Sequence, residues 1–102
     1  MSQDELLRRL LEDAAQRGID YREQSTSRSV APTPEAIKNV RQFIEPLPDD
    51  GTSDLDVLAQ LDGIGTPAAV AMTGPRFFGF VIGGSLPISL ASNWLTAAWD
   101  QN

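Results

Sequence analysis

The chain has 102 residues, 8 of them Lys or Arg and 14 Asp or Glu, for a formal net charge of -6. That length admits one small domain, and that charge repels nucleic-acid phosphates and anionic lipid headgroups, so neither a nucleic acid nor a membrane is an expected partner. Cysteine and histidine are both absent, which excludes disulfides, thiolate zinc sites, a cysteine nucleophile and the commonest general base, and leaves carboxylates and hydroxyls for any chemistry confined to these residues. A cysteine-free chain with Asp4 and Glu5 where a secretory signal would carry basic residues is expected to be cytoplasmic.

Ser2 stands three residues before Glu5, the spacing of a reciprocal cap, and so predicts a helix start. Leu6, Leu7, Leu10, Leu11, Ala14 and Ala15 then recur at three- and four-residue steps, with Gly18 as the expected stop. From Asp20 to Ala31 the polar, Ser/Thr-rich run reads as an extended linker. Thr33-Pro34-Glu35 opens a second helix with a narrow face of Ile37, Val40 and Ile44, closed by Pro46 and Pro48. After the turn Asp49-Asp50-Gly51, Ser53 caps a third helix bearing Leu55, Leu58 and Leu61, expected to end at Asp62-Gly63.

At Thr66 the texture changes. From there to Ile82 the only charge is Arg76, and Phe77 to Ile82 is aromatic and β-branched, which suits a buried extended segment. Gly83-Gly84-Ser85 makes a turn with Ser85 as cap, and a fourth helix with Pro87 in its first turn runs on from Leu86. It is apolar on most sides, as buried helices are. No Gly, Pro or basic last turn stops it before Asn102, so the chain is expected to be cut from a longer protein. Trp94 and Trp99 diverge around it by more than a quarter turn, and so need a large surface from a missing domain or a second subunit.

Three patterns could carry chemistry, and each has a plainer explanation. Asp49, Asp50, Asp54 and Asp56 lack the spacing of a cation loop and suit a helix start. Gly79, Gly83, Gly84 and Ser85 lack the lysine of a phosphate-binding loop and suit a tight turn. The 23 uncharged positions from Phe77 to Trp99 could span a bilayer, but Gly83, Gly84, Pro87 and several polar side chains fit a buried soluble element better.

The stretch from Gly74 to Pro87, Gly-Pro-Arg-Phe-Phe-Gly-Phe-Val-Ile-Gly-Gly-Ser-Leu-Pro, followed by Trp94-Leu95 and Trp99-Asp100-Gln101-Asn102, resembles the group II pyridoxal-phosphate-dependent amino-acid decarboxylases. Val30-Ala31-Pro32 stands near that family's Val-x-Pro, and Asp56-Val57-Leu58 matches weakly. The resemblance is strong from about Thr66 onward and covers only the first part of the family's length. It implies an α/β fold-type I parent, a homodimer whose N-terminal helices wrap the partner, and an amino-acid substrate. Residues 1–65 would be a helical dimerisation segment and residues 66–102 the start of the decarboxylase domain, truncated, with extended segment 77–82, turn 83–85 and helix 86–102. Within the fragment the fold is mainly α, four helices plus the short extended segment.

The same resemblance makes Phe80 and Val81, then Ile82, substrate-binding residues. Phe80 stands where relatives carry Tyr or Gln, which points toward apolar or aromatic substrates. The family's catalytic groups are a lysine that binds pyridoxal phosphate, a stacked histidine and an aspartate on the ring nitrogen. They are expected beyond this chain, as is the phosphate-binding loop. The only lysine, Lys38, lies in a polar helix and takes no catalytic role. The function expected is thus part of a carboxy-lyase, inactive alone. The alternative is a non-catalytic helical interaction module whose apolar last helix docks on a partner.

Overall fold

The computed structural model describes residues 1–79 and 84–101; among these, four helices form and no strand does. Helix α1 spans Gln3–Gln24 and starts as expected: Ser2 Oγ accepts from the Glu5 amide at 3.1 Å, and the Glu5 carboxylate accepts from the Ser2 amide at 2.9 Å. It does not stop at Gly18. A glycine inside a helix costs about 1 kcal/mol, and here side-chain pairs one turn apart bracket it, Arg17 on Asp13 and Gln16 on Asp20. The first part of the expected linker is therefore helical.

The Ser/Thr run then closes the helix. Ser25, Thr26 and Ser27 donate their hydroxyls to the carbonyls of Arg22, Glu23 and Gln24, at 2.7, 3.0 and 3.4 Å. Those oxygens belong to the last turn, which has no intrahelical partner of its own. Ser/Thr composition that read as linker is a polar C-terminal cap.

Helix α2, Pro34–Asn39, is capped by Thr33, whose hydroxyl accepts from the Ala36 amide at 3.1 Å, and tightens into a 3-10 turn over Val40–Phe43. Ile44 leaves helical geometry two residues before Pro46. Helix α3, Asp54–Gln60, is capped by Ser53. The backbone stays helical beyond Asp62-Gly63, through a π-helical turn at Leu61–Gly65 and a short turn at Thr66–Ala68. Two hydrogen bonds on the Asp62 carboxylate, from Thr66 one turn on and from Arg17 of α1, hold the wider turn in place.

Helix α4 spans Pro87–Trp99. Pro87 opens it, but Ser85 does not cap it; Leu86 holds the cap position without a side-chain bond, because Ser85 is occupied by Arg22. The helix does have an end: Asp100 turns into the left-handed region at φ 50°, and its amide donates to Thr96 O at 3.2 Å. Short polar residues tolerate that conformation. Phe77 to Gly79 lie in irregular backbone, and the rest of the expected extended segment lies outside the described residues.

Apolar burial is sparse. Ala36 and Ala71 are the only buried apolar residues among those described. Contrary to the expectation of a buried helix, every residue of α4 is exposed, including Trp94 at 39% and Trp99 at 57%. Residues of α1 line a groove with one side of α4, and among the described residues none of the side chains of α4 is buried. Accessible surface totals 8176 Å², against roughly 5,700 Å² for a monomer of this length. The radius of gyration is 15.8 Å, where a compact chain of about 100 residues has about 13 Å.

Candidate functional site

The best-built part of the molecule is the junction between the end of α1 and residues 66–76. Arg28 spreads its guanidinium over carbonyls of the turn that follows α3, with Nη1 donating to Thr66 O at 3.0 Å and Nη2 to Ala69 O at 3.0 Å and Pro67 O at 3.4 Å. A planar fork is the side chain that can serve several carbonyls at once. The same group lies 5.4 Å from the centre of the Tyr21 ring, a cation–π distance. Backbone pairing adds to it, the Ala71 amide donating to Val30 O at 2.9 Å.

Gly74 seats the next stretch against Ser25, so closely that a β-carbon at position 74 would overlap the Ser25 carbonyl oxygen. Arg76 Nη2 then donates to Thr26 O at 3.2 Å. On the far side of the candidate segment, Arg22 donates through Nη1 to Ser85 Oγ and through Nη2 to Ser85 O at 2.9 Å. One turn of chain, Arg22 to Thr26, thus touches both flanks of the segment 77–83. Gly84 lies against Thr73 at φ 79°, a conformation that favours glycine. Phe77 is half-buried with its ring against Gly79, where a β-carbon would sit 2.9 Å from Cζ; Phe78 is 90% exposed.

The three residues assigned to substrate binding, Phe80, Val81 and Ile82, lie outside the described residues, as does Gly83. Sequence reasoning missed the arginines that hold the flanks. A signal existed for one of them: Arg76 is the lone charge in an apolar stretch, and a lone charge there needs a partner. Arg22 and Arg28 carried no such mark, because their partners are 38 to 63 positions away.

A second feature is an open groove of about 640 Å³ between α1 and α4, floored by Ala15, Gly18 and Ala91 and walled by Ile19, Leu90 and Trp94. The third is the ionic link that ties α1 to α3, Arg17 Nη1 to Asp62 Oδ2 at 2.7 Å. The Thr66 hydroxyl and then Arg17 hold the Asp62 carboxyl below its ordinary pKa, and the bond to Asp62 raises that of Arg17.

The residues present do not fit pyridoxal phosphate. Lys38 is exposed on α2, histidine is absent, and no described side chain offers a second amine. Among the described residues no cluster of three or more acidic residues is placed to hold a metal ion, and no helix is long and apolar enough to cross a membrane. Comparison with family models, with curated proteins and with solved structures finds no match for this chain.

Proposed function

We propose that the chain is the N-terminal segment of a pyridoxal-phosphate-dependent amino-acid decarboxylase, supplying dimer contacts and part of the substrate pocket and inactive by itself. The observation that carries the reading is the segment from Gly74 to Pro87, whose order of paired aromatics, glycine turn and proline-started helix resembles that family. The doubly anchored flanks of this segment support it, since a pocket wall must be held from both sides to select a side chain. Phe80, Val81 and Ile82 are the residues proposed to touch the substrate. The cofactor and every group that reacts with it belong to residues outside this chain.

The test is carbon dioxide release from a panel of aromatic and aliphatic amino acids, by the protein expressed from the longer reading frame and by the 102-residue chain alone. Release by the longer protein and none by the short chain is the expected pair of results. A longer protein without a cofactor lysine, or without release on any substrate, overturns the enzyme reading. The exposed apolar faces of α4 favour a second reading, a non-catalytic interaction module. That reading predicts tight association with a partner and no decarboxylation in any form of the protein.

A further inference from the structure

The chain contains two Asp-Gly pairs and no Asn-Gly. Asp-Gly is the sequence at which an aspartyl carboxyl is most open to attack by the next backbone nitrogen, because glycine puts no β-carbon beside that nitrogen and lets the backbone turn toward the side chain. Asp50-Gly51 lies in the connection between the 3-10 turn after α2 and helix α3, and Asp62-Gly63 lies in the π-helical turn after α3.

The first pair is unrestrained. Asp50 and Gly51 are both exposed, and a β-carbon added at Gly51 would meet nothing within 4 Å. From Glu45 to Thr52 no backbone hydrogen bond forms among the described residues, and none holds the Asp50 carboxylate. The segment is fastened at its ends, by the Ile44 amide on Arg41 O at 2.9 Å and by Ser53 on the Asp56 amide at 3.2 Å. Gly51 bends the chain at φ 74°, a conformation that favours glycine, so the residue that permits the bend also leaves the nitrogen unshielded.

The second pair is locked. Asp62 is half-buried, and its carboxylate accepts from the Thr66 hydroxyl and, at 2.7 Å, from Arg17 Nη1 of α1. The backbone on both sides of Gly63 is helical, with Leu61 and Thr66 each at φ -57° and ψ -47°. Closing a ring between an aspartyl carboxyl and the next nitrogen fixes ψ of the aspartate at a value that no helix contains. At Asp62 it therefore requires the turn to unwind and both carboxylate bonds to break.

We propose that Asp50-Gly51 is a site of aspartyl isomerisation in the folded chain, from which Asp62-Gly63 is protected, and that the product at position 50 is a substrate for an isoaspartyl carboxyl methyltransferase. The Gly51 nitrogen attacks Cγ of the protonated Asp50 carboxyl; the C–N bond forms, and the carboxyl OH leaves with the amide proton as water. The result is a cyclic imide. Water then opens it at either carbonyl. Addition at the side-chain carbonyl restores aspartate, and addition at the main-chain carbonyl leaves the backbone running through the side-chain methylene, with a free α-carboxylate. Mass and charge are unchanged, the main chain grows by one carbon, and nothing is oxidised or reduced. Residues 45–52 are all exposed, so the folded chain tolerates the added carbon. The new carboxylate stands in solvent, where it can take the methyl group of S-adenosylmethionine as an ester. The inference is independent of the decarboxylase reading.

One tryptic peptide tests both sites, because residues 42–76 contain no Lys or Arg before Arg76 and so carry both pairs. The 102-residue chain is incubated at neutral pH, folded and in urea, until the urea sample has isomerised, and electron-transfer fragmentation then reports isoaspartate at each position. In the folded chain isoaspartate is expected to accumulate at position 50 at least about tenfold faster than at position 62, and urea is expected to bring the two rates together. Arg17→Ala combined with Thr66→Ala should raise the rate at Asp62. Because that variant could unfold the chain, the comparison with urea is the measurement that needs no substitution. Purified isoaspartyl methyltransferase with labelled S-adenosylmethionine should methylate position 50 of the aged, folded chain.

Equal rates in the folded chain, a ratio that urea leaves unchanged, or no conversion at position 50 while the urea sample converts would each overturn the site. An aged chain that accepts the methyl group only after unfolding overturns the methyltransferase as its partner.

Discussion

Two regions of one short chain solve the problem of holding together in opposite ways. At the junction of residues 21–30 with 66–76, almost no large apolar side chain is buried, yet donors and acceptors are matched across many positions of sequence: Arg28 on three carbonyls, Arg76 on Thr26, the Ala71 amide on Val30. Helix α4 has the reverse character. It carries Leu, Ile and Trp in quantity and no charge between Pro87 and Trp99, and every one of its residues is exposed. Polar fit, then, organises the junction, while the apolar side chains of α4 stay exposed among the described residues.

The comparison breaks most sharply at Gly74. If close fit holds the junction, Gly74→Ala forces the added methyl onto the Ser25 carbonyl oxygen, backbone against backbone, and is expected to cost about 2 to 3 kcal/mol in urea unfolding followed by far-UV circular dichroism. A neutral result would show that the two segments slide freely. Arg28→Ala comes next, at about 2 kcal/mol, because three carbonyls lose a charged donor together. Arg28→Lys keeps the charge without the fork and should recover less than half of that loss in the same titration.

These residues also show what was legible in the sequence. The four helix starts were, since Ser2, Thr33, Ser53 and Pro87 act on amides or dihedral angles within their own first turn. Helix ends were less so, the stop before Pro46 apart. Gly18 read as a stop and Asp62-Gly63 as another, but partners one turn away or on another helix carry the helix past each: Asp13 and Asp20 around Gly18, Arg17 and Thr66 at Asp62. Ser85 read as a cap and serves instead as the acceptor for Arg22, 63 positions earlier. The exposure of α4 was hidden for a related reason, since an apolar helix looks the same in sequence whether its cover lies in the same chain or in another. Of the candidate site, the anchoring of Arg76 was readable as a lone charge in an apolar run, while Phe80, Val81 and Ile82 lie outside the described residues.

A smaller effect concerns the link between α1 and α3. With its pKa depressed by the Thr66 hydroxyl and by Arg17, the Asp62 carboxylate stabilises the fold wherever an unfolded aspartate would already be ionised, and the benefit fades as pH falls through about 4 toward the folded value. Asp62→Asn should therefore cost about 1 kcal/mol at neutral pH and make the acid side of the stability profile shallower. Stability measured by urea at several pH values between neutrality and strong acid checks both. A variant with an unchanged acid slope would mean that other carboxylates carry it.

The smallest expected change in stability is on α4, and it sharpens the contrast most. Leu95 and Trp99 are 53% and 57% exposed, so replacing both with Gln removes little that the folded chain had shielded from water; the expected shift in unfolding free energy is within about 0.5 kcal/mol. Trp94 is the more informative neighbour, because it is 39% exposed and faces the groove beside Leu90. Trp94→Ala should likewise leave the unfolding free energy of the dilute chain almost unchanged, by the same urea titration. If either change unfolds the dilute chain, α4 is an internal part of the fold, and the division between a polar junction that stabilises and an exposed apolar helix that does not is wrong.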